Sequence, residues 1–173
     1  MFTLATTSLA ALALAGFAGA LILAAISDVR RYLIPNRYPA IIAVAYGLYA
    51  TQLPLMQGLF GLAMGALVLI VGAVLFARGL MGGGDVKLFA AASLWAGPAL
   101  MSSFILATAL AGAALGLLWL TPFRRLMPIA PANDEFSSSD AATGLRARLR
   151  QPIPFGAAIA IGGLDVAALL ITR

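Results

Sequence analysis

The chain has no cysteine and no histidine, and only six of its 173 residues are acidic. Without cysteine there is no disulfide framework, thiolate nucleophile or cysteine-held metal, and without histidine the commonest general base and metal ligand is missing. Charge of either sign is scarce: charged residues make up 10% of the chain, against roughly 25% in soluble domains. A chain this poor in charge, 62% hydrophobic and with mean hydropathy +1.02, reads as an integral membrane protein. Any chemistry falls to carboxylates, hydroxyls, Lys87, arginines or backbone, with no metal and no cofactor expected.

Long apolar runs fill most of the rest. Residues 4–26 carry no charge and are long enough to cross about 30 Å of hydrocarbon at about 1.5 Å per residue. A cleaved signal peptide is the rival reading of this run, given Ala18, Gly19 and Ala20. No Lys or Arg precedes the run, however, and it continues past that point, so it is expected to stay as a first helix. Further apolar segments run from 39 to about 54, over 58–77, from 86 to about 96 where Gly97 and Pro98 end it, over 100–120, and over 155–172. Gly61 and Gly65, and again Thr108, Gly112 and Gly116, repeat every four residues, a spacing that lets helices pack closely. Polar breaks are expected at 27–38, with Asp28, Arg30, Arg31 and Arg37, and at 78–84. The stretch from 121 to about 154, rich in Pro, Ser and acids, reads as a mobile cytoplasmic loop. Its Arg146, Arg148 and Arg150 suit anionic lipid head groups. The expectation is a single all-α domain over residues 1–173, a polytopic membrane protein of about six transmembrane helices.

The basic residues test that count. If six helices alternate in direction, ten of the eleven Lys and Arg fall on one side, which the positive-inside rule makes cytoplasmic, and only Arg173 falls on the other. Both termini are then outside. The net charge of +5 follows from this topology, so no nucleic-acid partner is expected. The same alternation puts Asp28 and Asp85, 57 residues apart, at one membrane edge.

Two neighbouring carboxyls do not ionise together cheaply, so one can hold a proton while the other acts as base. Such a pair activates water for amide hydrolysis without thiol, histidine or metal. With Asp85 at a helix N-terminus and Asp28 at a C-terminus, the helix ends assign the resting base to Asp85 and the proton to Asp28. Gly82, Gly83 and Gly84 precede Asp85, and their bare backbone could take an extended peptide by strand addition. Lys87, Arg30, Pro35 and Asn36 are candidates for shaping the site. Asp165, inside the last apolar run, is expected to play a structural part away from the pair.

These residues resemble the type IV prepilin leader peptidases, intramembrane aspartic proteases with a G-x-G-D motif. Gly82-Gly83-Gly84-Asp85-Val86-Lys87-Leu88 is similar to the second aspartate motif of that family. Asp28-Val29-Arg30 with Ile34-Pro35-Asn36 is similar to the first, and Pro154-Phe155-Gly156 to the segment opening the last helix. The resemblance implies that Asp28 and Asp85 are catalytic and that the substrate is a prepilin or pseudopilin cut at the cytoplasmic membrane edge. It further implies the bacterial inner membrane, with membrane lipids and pilus or secretion machinery as partners. The cysteine-bearing insert of longer members has no counterpart, so the chain resembles the short form serving tight-adherence (Flp) pili, and methyltransferase activity is not expected. The competing reading outside the enzymes is a small proton- or cation-coupled transporter using the same aspartates. Inside them it is a presenilin-like protease or an archaeal preflagellin peptidase.

Overall fold

A computed structural model describes residues 2–120 and 154–172, with side chains over 8–118 and 154–172. All regular structure there is helical: α1 (Phe2–Arg31), α2 (Arg37–Ala50), α3 (Leu55–Ala77), α4 (Gly83–Leu120) and α5 (Phe155–Ile171). The polar loop expected at 121–154, with Arg146, Arg148 and Arg150, lies outside the described residues except for Pro154.

The break expected after residue 96 is present inside α4. Gly97 has φ 51° and ψ −168°, a combination that a Cβ strongly disfavours, and Pro98 follows it. The chain reverses there. The Phe89 and Phe104 rings have centroids 4.7 Å apart, whereas fifteen residues of straight helix would separate them by about 22 Å. α4 is therefore a helical hairpin of two antiparallel arms, one before and one after Gly97.

The other helices align with these arms. On α3, Gly65 faces Leu94 and Gly72 faces Val86, so α3 runs antiparallel to the first arm. On α5, Gly162 packs on Phe104 and Thr108 while Phe155 lies against Gly112, so α5 runs antiparallel to the second. α1 runs antiparallel to α5, with Leu21 against Gly163 and Asp28 against Gly156. Trp95, two residues before the reversal at Gly97, joins α1 and α2 to the first arm near that end of the bundle. It stacks on Phe17 at 4.4 Å and on Tyr49 at 5.0 Å, and its indole N–H donates to the Ile42 carbonyl at 3.1 Å.

α3 is built the reverse way round from a helix in a water-soluble protein. Its buried residues are Gly58, Gly61, Gly65 and Gly72, while Leu59, Phe60, Leu62, Leu67, Ile70, Val71 and Phe76 are exposed. In water so large an apolar face would drive association; against lipid it costs nothing, and inward glycines let the backbones approach. Three stretches, Ser8–Arg31, Leu55–Ala77 and Gly83–Leu118, are long and apolar enough to cross a membrane, and Phe155–Ile171 is a shorter apolar helix. The 14 residues of α2 rise about 21 Å, less than a hydrocarbon core of about 30 Å.

Several boundaries differ from the sequence expectation: α2 ends at Ala50, short of the 54 expected, α3 begins at Leu55 and not at 58, and both polar breaks beside the acids are shorter. The first polar break is only 32–36, because α1 continues through Asp28, Arg30 and Arg31. Nothing in Ser27-Asp28-Val29-Arg30-Arg31 opposes helix, and basic residues suit a helix C-terminus. Tyr32 ends it with φ 50°, its N–H donating to the Asp28 carbonyl at 2.8 Å. In the second break, Gly83 and Gly84 belong to the first turn of α4, where the Val86 N–H donates to the Gly82 carbonyl at 3.0 Å.

Candidate active site

Asp28 ends α1 and Asp85 opens α4, and the antiparallel packing brings both to one end of the bundle. Ile34 links their surroundings: it packs against Gly84, the residue before Asp85, and against Gly156, beside which the Asp28 carboxyl lies. Asp28 is only 6% exposed, and its Oδ2 is fully buried with no hydrogen-bond partner among the described residues. Asp85 is half-buried.

The five residues between α1 and α2 build the site between the two acids. The Ser27 hydroxyl donates to the Leu33 carbonyl at 2.8 Å, folding the break back over the end of α1. That fold directs Ile34 inward. A Cβ on Gly84 would stand 3.1 Å from the Ile34 Cβ, and one on Gly156 would stand 2.5 Å from its Cδ1. Ile34 therefore fills the space between the start of α4 and the start of α5. Pro35 fixes the next bend and Asn36 precedes α2, where its Oδ1 accepts from the Lys87 ammonium at 2.9 Å.

Around Asp85, a Cβ on Gly82 would come 2.9 Å from its Oδ2, and one on Gly83 would come 3.2 Å from the Phe76 ring. The three glycines thus have packing duties. Gly83 and Gly84 are helical, and strand addition at these two residues would require unwinding the first turn. Arg30 is exposed in the last turn of α1. Asp165 lies nine residues after Gly156, about 14 Å further along α5, and accepts from the Ser103 hydroxyl at 2.7 Å.

Two residues here had no role assigned from the sequence, although both sit in the quoted motifs. Ile34 is a buried aliphatic residue within a polar break. Gly156 stands at the start of α5, where its backbone N–H and that of Ala157 face the Asp28 carboxyl. Asp28 thus meets a helix N-terminus, as Asp85 does, so helix ends alone do not separate the two roles.

The fold and the paired acids define a helical membrane protein with two carboxyls gathered at one end of its bundle. Residues 15–117 match the model of the type IV leader peptidase family, and the chain belongs to that family. The match takes in both Asp28 and Asp85. No curated protein and no solved structure matches the chain.

Proposed function

We propose that the protein hydrolyses the leader peptide of type IV, Flp-type prepilins or pseudopilins, with Asp28 and Asp85 as the catalytic pair. The observation that carries this reading is the placing of Asp28 and Asp85 at one end of the bundle, with Ile34 packed against the glycine beside each, in a chain of the leader peptidase family. One carboxylate takes a proton from water as the water attacks the scissile carbonyl. The other, protonated, gives its proton to the developing oxyanion. The acid that took the proton from water then passes it to the leaving amine, and the second carboxylate recovers its proton from the gem-diol as the carbonyl re-forms and the C–N bond breaks. Partial burial of the pair strengthens these interactions by limiting access of bulk water.

In this reading α1, α2, α3, the two arms of α4 and α5 make six passes through the bacterial inner membrane, with the bilayer thinned locally around the 14-residue α2. Both termini are outside and the aspartates are at the cytoplasmic edge. The positive-inside distribution of Lys and Arg supports that orientation. The leader is cut there while the substrate's apolar helix stays in the bilayer.

Co-expression with a prepilin, followed by mass analysis of the pilin N-terminus, tests the proposal. The unaltered chain should remove the leader, and Asp28→Ala and Asp85→Ala should each lower the rate by at least about 10²-fold, as expected when a positioned acid or base is lost. Processing at the normal rate by both variants would overturn it.

A further inference from the structure

Among the described residues Asp28 is the most buried acid, and the start of α5 lies against its carboxyl. The first turn of a helix presents N–H groups without intrahelical acceptors. At the start of α5 the backbone N–H groups of Gly156 and Ala157 face the Asp28 carboxyl, and the Ala157 N–H also donates to the Pro154 carbonyl at 3.2 Å. The space into which the carboxyl fits exists because residue 156 has no side chain. A Cβ there would stand 2.8 Å from Asp28 Oδ2, 3.1 Å from its Cγ and 2.5 Å from Ile34 Cδ1. The same Oδ2 is fully buried and makes no hydrogen bond among the described residues. An unpartnered carboxyl oxygen in a buried site is costly, and here it is pressed against a helix N-terminus.

We propose that Gly156 is a positioning residue for the hydrolysis, seating the Asp28 carboxyl against the N-terminus of α5 and so setting its orientation toward Asp85. The inference rests on the two-aspartate reading above. It assigns to α5, beyond residues 15–117, a part in orienting the acid at the end of α1.

The test must separate seating of Asp28 from simple packing. Gly156→Ala adds a methyl group that meets both Ile34 and Asp28. Adding Ile34→Val removes Cδ1 and relieves the first contact while leaving the second. In the full-length protein in detergent, the double variant should regain the thermal stability that Gly156→Ala loses. Its kcat for leader cleavage should stay at least about 10-fold low with KM within about twofold, since a small misplacement of a reacting group weakens chemistry more than binding. Infrared difference spectroscopy supplies a readout apart from activity. The carboxyl band identified by its loss in Asp28→Asn should shift in the double variant.

A shifted band together with low kcat supports the proposal. Restored kcat, an unmoved band, or a loss of activity expressed only in KM overturns it. Ala157→Pro deletes one of the facing N–H groups in a helical turn that tolerates proline, and carries the same readouts if the glycine variants do not fold. Normal cleavage by Asp28→Asn would instead overturn the two-aspartate reading and this proposal with it. Loss of cleavage in Asp28→Asn but not in the double variant overturns only the role of Gly156.

Discussion

The Lys87 ammonium donates to Asn36 Oδ1 at 2.9 Å, joining residues 51 apart in the chain. One belongs to the stretch that follows Asp28 and the other to the stretch that follows Asp85. The bond ties the break after α1 to the first turns of α4, on the outside of the contact that Ile34 makes with Gly84. Both partners are exposed, so the tie is a modest one. A double-mutant cycle with Asn36→Ala and Lys87→Ala should give a coupling of about 0.5–1 kcal/mol in thermal unfolding. Strictly additive effects would mean that the bond is not maintained.

The glycines before Asp85 should differ from one another. At Gly84 the obstacle to a methyl group is Ile34 Cβ, close to backbone, whereas at Gly83 it is the edge of the Phe76 ring. Gly84→Ala should cost about 1–3 kcal/mol through overpacking. Gly83→Ala should be nearly neutral, because better helix propensity offsets a small ring movement. Thermal unfolding and cleavage rate measured together decide the matter. If Gly83→Ala instead raises KM at unchanged stability, this glycine serves the substrate more than the packing.

Gly97 holds the hairpin of α4 with a positive φ. Its Cβ position has open space around it, so a substitution there is opposed by backbone conformation alone. Gly97→Ala should destabilise by about 1–3 kcal/mol. The readouts are the unfolding midpoint and a cross-link between cysteines placed at 89 and 104. An unchanged midpoint would show that the reversal does not depend on this backbone state.

Asp165 should matter for stability and not for chemistry. Ser103→Ala removes the 2.7 Å bond between α4 and α5 and should cost about 1 kcal/mol, the usual worth of such a bond between apolar helices. Asp165→Asn keeps an acceptor oxygen and should leave cleavage within about threefold of normal, because nine residues of helix separate it from Gly156 and the pair. Loss of cleavage with intact stability would assign Asp165 to the reaction.

The sequence by itself determined the solvent, the helical class and the level of the two acids. Scarce charge and long apolar runs leave lipid as the surroundings. Gly97 followed by Pro98 can only interrupt a helix, and an even number of chain reversals returns Asp85 to the end of the bundle where Asp28 lies. These are properties of composition and of counting along the chain, and they need no knowledge of which faces meet. The tertiary structure alone decided the rest. A count of reversals fixes the end of a bundle but not the direction in which a side chain points around its helix, so the placing of Ile34 between Gly84 and Gly156 was not legible. The extent of α1 and α4 was hidden for a related reason, since charge and glycine suggested breaks where packing and capping carry the helix on. The start of α5 reaches Asp28 only because α1 and α5 are antiparallel neighbours. Whether a missing Cβ serves a turn, a close contact or a carboxyl depends on what the folded chain sets opposite it.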